Sequence, residues 1–429
     1  MSKPTPIHHA FTSDSPRIAL AGWGLLTPLG LGAWATFLAL LQGRTLRDRA
    51  ATLPEDTAPV DLARALGGVV AVQHTRADPG IELAERAVRE AVTMAGVELR
   101  DLPLYLGTSK GAIAKLSTHL GMDRPITEDI AACLALGPHA YMSGELARRL
   151  GTSARSHHVA ACSSGLVALD AARRALLHQS PDASPYAIVA SADAAITPAM
   201  VHSYRRLGVL GDMTAQTYTQ RPLDAQRAGF MLSEIGAAVL LKRIEPGETM
   251  PANSIELAST ATACEPYDIV RSPDDMRSLG RLWQSATSGL QVDVIHPHAP
   301  GTREHDPAEV RALLHAESFL PAEPHAEHTP DLYAVKGAIG HGLGASGLAS
   351  LVVAAMCLRS GKRPPMPWIR EPMRLPDDTP IPIISDARSC STTGVHGVLA
   401  AGFGGHLAAA ILLGHGRGKT PREPSTPQR

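Results

Sequence analysis

Three short segments of this 429-residue chain carry residue types that could do chemistry. The first is VAACSSGLVALDAARRALL, 159–177, where an apolar strand end runs into Cys162, Ser163, Ser164 and Gly165 and then a helix. A cysteine at a helix start meets unpaired backbone N–H groups and the positive end of the helix dipole, which favour a thiolate and lower its pKa. The same N–H groups can donate to an oxyanion. Taken alone, the segment leaves a buried, inert cysteine equally open. The second segment is KGAIGHGLGASG, 336–347, where dense glycine allows tight turns and close backbone approach around His341. With 19 histidines in the chain, one more carries little weight. Lys336 carries more: only seven of the 40 basic residues are lysine, and one kept in an apolar segment needs a carboxylate partner if buried. The third segment is VIHPHAPGTREHDPAEVRALL, 294–314, in which a strand ends at His296-Pro297-His298 and a helix starts at Asp306-Pro307. Asp306 has N-cap chemistry, Pro307 suits N1 and Glu309 takes the capping-box position. Both carboxylates therefore read first as caps and second as partners for Lys336. A Gly402-Phe403-Gly404-Gly405 turn is a weak signal by itself.

These residues need a scaffold. Short apolar runs at 17–22, 102–107, 186–191, 236–242, 292–296, 381–385 and 408–413 read as strands. Amphipathic or Ala/Leu-rich stretches at 81–95, 143–150, 163–178, 307–318 and 346–359 read as helices. Buried, unalternating strands interleaved with helices indicate an α/β fold. The strand, turn and helix at Cys162 has a counterpart around 340–347, which hints at two similar halves. Residues 1–16 and 416–429, rich in Pro, Ser, Thr and charge, read as disordered tails.

Composition excludes several classes. Charges balance to a net −1, so there is no basic stripe for nucleic acid. Hydrophobic residues at 44% supply a large core and exclude global disorder. Five cysteines (Cys133, Cys162, Cys264, Cys357 and Cys390) with no CxxC pair make neither a disulfide framework nor a zinc site, and suit a reducing cytoplasm. The apolar stretches 338–358 and 397–414 each hold a histidine, His341 and His406, which lipid would penalise. Both read as buried core elements and not as membrane spans.

Taken together the segments resemble the β-ketoacyl synthases of the thiolase-fold condensing enzymes, over roughly residues 17–414. RIALAGWGLLTPLG is similar to the family's first strand and turn, ACSSG to its cysteine elbow, and ASADAAITP to the strand after it. RPLDAQRAGFMLSEIGAAVLL resembles the segment RPFDxxRDGFvxGEGAG. His298 and Asp306 fall as in HGTxTxxGD; Lys336, Gly340, His341, Gly344, Ala345 and Gly347 fall as in KxxxGHxxGAxG; GFGG falls at 402–405. The resemblance implies a five-layered αβαβα fold from two halves, 17–245 with the nucleophile and 246–415 with the two histidines. It further implies that Cys162 takes an acyl group from a phosphopantetheine thioester on an acyl carrier protein. His298 and His341 would assist decarboxylation of a malonyl thioester, and the N–H groups of Cys162 and Phe403 would form the oxyanion hole. Phe403 would gate the acyl pocket, Thr302 would bind pantetheine, and Lys336 with Glu309 or Asp306 would be an electrostatic support. No metal and no resident cofactor is implied, and the expected assembly is a homodimer or a heterodimer with a chain-length factor.

Departures from the patterns are confined. HGTxT becomes His298-Ala299-Pro300-Gly301-Thr302, GFGGTN ends in His406-Leu407, and RDG becomes Arg227-Ala228-Gly229. GEGAG becomes Ser233-Glu234-Ile235-Gly236-Ala237. An altered pantetheine tunnel on a retained scaffold favours specialised polyketide or polyene synthesis over housekeeping fatty-acid synthesis. A thiolase would need a second cysteine where Phe403 stands. A non-catalytic chain-length-factor-like partner would normally lose the cysteine. An acyltransferase to another acceptor would keep the covalent step and change the second substrate.

Overall fold

In the computed structural model, residues 15–416 are described apart from 53–56, 70–77, 121–125, 212–219, 319–329, 376, 379–380 and 382. The two expected tails fall almost wholly outside the described residues. The elements that build the site are β1 (Arg17–Thr27), α1 (Pro79–Ala95), β2 (Pro103–Gly107), α2 (Glu128–Leu150), β3 (Ser153–His158), α3 (Ser164–His178), β4 (Tyr186–Asp193) and β5 (Ile235–Ile244). They are followed by β6 (Ser254–Cys264), α4 (Arg277–Thr287), β7 (Val294–His296), α5 (His305–Ser318), β8 (Asp331–Leu332), α6 (Ser346–Ser360), β9 (Val395–Gly402) and β10 (His406–His415).

The strand order is β3-β2-β4-β5-β1, then β6-β10-β9-β7-β8. Counted within each half from the outer edge inward, both runs read third, second, fourth, fifth, first. In each, the fifth strand runs antiparallel to its neighbours while the second, third and fourth are parallel. The first strands of the two runs meet edge to edge at Ala19 and Glu256. The chain thus repeats one mixed sheet about a pseudo-twofold axis.

Helix placement follows from composition. α1 is amphipathic, with Ile81, Ala84, Val88, Ala91 and Val92 buried on one face and Glu85, Arg86 and Arg89 on the other. Asp78 caps it by accepting from the Gly80 N–H at 2.8 Å, and Gly96 ends it in the left-handed region (φ 65°). It covers the outer face of β1, β4 and β5, while α4 covers β6 and β10 in the second half with α5 packed against it. α6, SGLASLVVAAMCLRS, is buried all round through Leu358 and lies with α3 between the halves, touching strands of both. The result is five layers, αβαβα. The span Leu343–Ser360 is long and apolar enough to cross a membrane, but 89% of it is buried inside the protein, as the composition suggested.

Among the expected elements, the described residues of 381–385 form no strand, and Ile381 packs in the core; Pro382 lies outside the described residues. Residues 143–150 are the end of the longer α2, which kinks at Gly137-Pro138 (Gly137 φ 71°).

The closest approach beneath the nucleophile is at Gly107, where a Cβ would lie 2.3 Å from the carbonyl oxygen of Ser164, the first residue of α3. Gly107→Ala should therefore cost about 1–3 kcal/mol of stability and displace the Cys162 turn. Urea unfolding with wild type as reference checks this; an unchanged midpoint and unchanged activity would refute it.

Candidate active site

Two matching corners face each other at the pseudo-twofold axis. Ala161-Cys162-Ser163 makes a 3-10 turn that leads into α3, and Leu343-Gly344-Ala345 makes the same turn into α6, each helix 15 residues long. Each turn opens on a residue with positive φ, 46° at Ala161 and 47° at Leu343. Such backbone is strained for a side-chain-bearing residue, and two non-glycine cases at matched places indicate that the packing enforces the corner. The two corners are tied by Asp193 at the end of β4. Its carboxylate accepts from the Thr108 hydroxyl (2.9 Å), the Ser109 and Lys110 N–H groups (2.9 Å each at the shortest) and, from the other half, the Gly344 N–H (2.9 Å).

The histidines are held by backbone. The His341 N–H donates to the Met231 carbonyl (2.8 Å) and the His341 carbonyl accepts from Ser233 (3.0 Å), so the segment RAGFMLSE acts as a splint. Its Nδ1 pairs with the Ser346 hydroxyl (2.8 Å), and the Phe230 ring stands edge-on to it, centroids 4.8 Å apart. His298 follows β7, and its N–H and that of Ala299 both donate to Glu309, at 2.6 and 2.7 Å. Asp306 accepts from Gly301 (2.9 Å) and Leu223 (3.0 Å). The capping reading of these carboxylates is thus corrected: α5 begins at His305, two residues before the expected Pro307, and both side chains turn to backbone N–H groups outside the helix. Lys336 is also placed differently. Its ammonium donates to the His298 carbonyl, and Glu309, Cys162 and Asp306 act on it through space. Burial outweighs those charges and lowers Lys336 to about 8.

The two imidazoles lie with centroids 5.4 Å apart, at 76°. Burial, reinforced by the Lys336 ammonium, holds both well below the ordinary histidine range, so both are neutral and can donate or accept. Cys162, His298, His341, Thr302 and Phe403 line one cavity of about 600 Å³. Among the described residues neither the Cys162 N–H nor the Phe403 N–H has a hydrogen-bond partner, and a Cβ on Gly402 would sit 2.8 Å from the Cys162 nitrogen. The two donors can therefore converge on one oxygen. The lower pKa expected of a helix start meets a stronger opposing influence: burial pushes the Cys162 thiol up to about 12, against the Lys336 ammonium, which is the strongest influence the other way. Before reaction the thiol is therefore protonated at neutral pH.

Sequence reasoning passed over three residues here. Asp193 lay inside a quoted segment without a role. Gln220 donates to the Lys336 carbonyl and accepts from Met231 (3.1 Å). His305 lines the cavity and stands edge-on to His298, centroids 5.1 Å apart; its signal was available, since HGTxTxxGD has glycine at that place. Cys390 lies against the Cys357 carbonyl (3.4 Å) and is not part of the cavity lining.

Comparison with known proteins agrees with this geometry. Residues 15–246 match the family model for the β-ketoacyl synthase N-terminal domain and 270–369 that for the C-terminal domain. The chain is 24% identical to the tetracenomycin polyketide synthase ketoacyl synthase alpha subunit of Streptomyces glaucescens, over 92% of this chain and 96% of that one. A solved type II PKS acyl-carrier protein in complex with its ketosynthase bound to the hexaketide superposes with a TM-score of 0.75 at 17% identity, covering 94% of this chain and all of the other. The ishigamide ketosynthase/chain length factor superposes with a TM-score of 0.67 at 20% identity, with the same coverages.

The raised thiol pKa has a direct signature. Iodoacetamide labelling of Cys162, followed peptide by peptide, should climb from about pH 7 through about pH 9 without levelling off, because thiolate is the reacting form. A plateau in the neutral range would contradict it. Lys336→Ala should slow labelling further near pH 7, where the ammonium is still charged, since it removes the strongest influence favouring the thiolate.

Proposed function

The chain belongs to the β-ketoacyl synthase family, and we propose that it runs the family's two-step reaction with Cys162 as nucleophile and with His298 and His341 at the second carbonyl. The observation that carries this is the convergence of all three side chains and two unpaired backbone N–H groups on one cavity. In the first step the Cys162 sulfur attacks an acyl thioester delivered on the phosphopantetheine arm of a carrier protein, and the Cys162 proton leaves with the departing thiol. The Cys162 and Phe403 N–H groups hold the oxyanion of the tetrahedral intermediate. In the second step a malonyl thioester enters beside the acylated cysteine. Its thioester oxygen sits against His298 and His341, whose neutral imidazoles donate to it as carbon dioxide leaves and the enolate forms. The enolate carbon attacks the Cys162 thioester, giving a 3-ketoacyl product.

In this proposal residues 17–245 supply the nucleophile and 246–415 the two histidines. Lys336, Glu309 and Asp306 position His298 and do not touch substrate. Phe403, packed 6.2 Å from the Tyr204 ring, gates the acyl pocket. Thr302 binds the pantetheine arm, with Ala299 and Pro300 leaving that arm fewer hydroxyl partners. The carrier protein is the partner, in specialised polyketide synthesis, and the outer edge of β3 at the end of the sheet supports pairing with a second copy or with a chain-length-factor-like paralogue. All five cysteines are free, which suits a cytoplasmic setting.

Intact-mass analysis after incubation with acyl-carrier thioesters should show an acyl adduct on wild type and none on Cys162→Ala. Adding malonyl-carrier should then consume the adduct. His341→Ala should still acylate yet condense about 10²–10³-fold more slowly, the usual loss when one donor to a developing oxyanion is removed. A folded wild type that gains no adduct from any acyl donor would overturn the reading in favour of a non-catalytic partner.

A further inference from the structure

The condensation just described, on which this inference rests, does not balance in protons within the cavity. The malonyl carboxylate leaves as neutral carbon dioxide, and its electron pair becomes the enolate. The enolate carbon forms the new bond to the acyl carbonyl, the carbon–sulfur bond breaks, and Cys162 is left as a thiolate. Neither substrate carries a proton for it. Each turnover consumes one solvent proton, and for Cys162 to begin the next one as the thiol that proton has to reach a site where Cys162, His298, His341, Lys336 and Glu309 are all buried. We propose that His305 is the relay through which that proton enters.

His305 bridges solvent and site. Its side chain is 14% exposed, and it lines the cavity together with exposed Arg303 and Glu304 as well as with Cys162 and His298. Its Nδ1 pairs with the hydroxyl of Ser272 (3.1 Å), a half-buried residue of the same lining. Its Nε2 is buried and has no hydrogen-bond partner, and the Nδ1 of His298, in the ring edge-on to it, is likewise buried and unpartnered. Two orphaned nitrogens on neighbouring imidazoles are costly unless something passes between them. A proton taken at His305 Nδ1 from the Ser272 side frees the one on Nε2, which passes to His298 Nδ1 when the two rings, which share no hydrogen bond at rest, swing into contact. That in turn releases the proton on the opposite nitrogen of His298 into the cavity, where the Cys162 thiolate takes it.

The groups facing His305 fit a relay better than a resting charge. The Lys336 ammonium repels a proton held there, and burial with that charge brings the imidazole down to about 4, so His305 rests neutral and ready to accept at one nitrogen while donating at the other. The Glu309 carboxylate, 3.7 Å from Nε2, steadies the transient imidazolium. His341 and His298 are the other titratable neighbours, both neutral.

The test uses the full chain with acyl-carrier and malonyl-carrier thioesters, and compares wild type with His305→Gln, His305→Gly and Ser272→Ala. Both His305 variants should still form the acyl adduct, while steady-state condensation falls about 10²-fold, in the range for loss of a proton-transfer group. The solvent deuterium isotope effect on kcat should rise, and added imidazole should restore His305→Gly. Ser272→Ala should show a smaller loss with the same isotope signature. Variants that condense at the wild-type rate would overturn the relay. So would a loss that acylation shares equally, or one that imidazole does not rescue, since a packing defect behaves that way. A wild type that acylates but never condenses would instead sink the synthase reading itself, so the two failures are distinguishable.

Discussion

One buried carboxylate holds this molecule's chemistry in register. Asp193 gathers four donors from two halves of the chain, three from the loop after β2 and one from Gly344 before α6. Its own environment is unfavourable for charge: burial raises it to about 6 in spite of those donors. The donors therefore stabilise the charged form and the charged form fixes them, which is how a costly buried group comes to specify a single geometry. Because the Gly344 turn also carries His341, the distance between nucleophile and imidazole is set by backbone groups at that joint and not by the side chains that do the work.

The same division recurs around the second histidine. Glu309 spends both its hydrogen bonds on backbone N–H groups of the His298 loop, Asp306 ties Gly301 of that loop to Leu223, and Lys336 spends its ammonium on the His298 carbonyl. Charge here serves architecture: two carboxylates and an ammonium brace one loop, while burial and the Lys336 ammonium keep the imidazoles neutral. The cavity is thereby surrounded by ionisable groups yet presents neutral donors to a substrate, which is what stabilising an enolate at neutral pH requires.

How much of this was legible in the sequence depended on whether a residue's neighbours are local. The cysteine elbow, the glycine-rich His341 segment and the central helices were readable because strand, turn and helix signals lie within twenty residues of each other. The strand leading to Cys162 was expected at the apolar residues just before it and ends at His158 instead, because SARSHH is polar and half-exposed, as an edge strand can be, and shows no apolar alternation. β6, SIELASTATAC, carries small and polar residues that periodicity does not flag. The capping assignment of Asp306 and Glu309 failed for a different reason. A carboxylate at a helix start has two possible sets of N–H partners, and only the fold decides that the loop at 298–301 is nearer. Asp193 was invisible as a clamp for the same cause, since its partners lie more than 80 and 150 positions away.

The matched corners carry a consequence for how such a scaffold can change. Gly344 stands where Cys162 stands in the other corner, and a Cβ there would meet the Asp193 carboxylate and the Ser109 nitrogen at 2.8 Å. A duplicated chain begins with two equivalent berths for a nucleophile. Here one berth has been surrendered to the joint that aligns the other, so the asymmetry is irreversible by single substitution. To install chemistry at Gly344 a lineage would first have to give up Asp193, and with it the alignment that makes Cys162 useful.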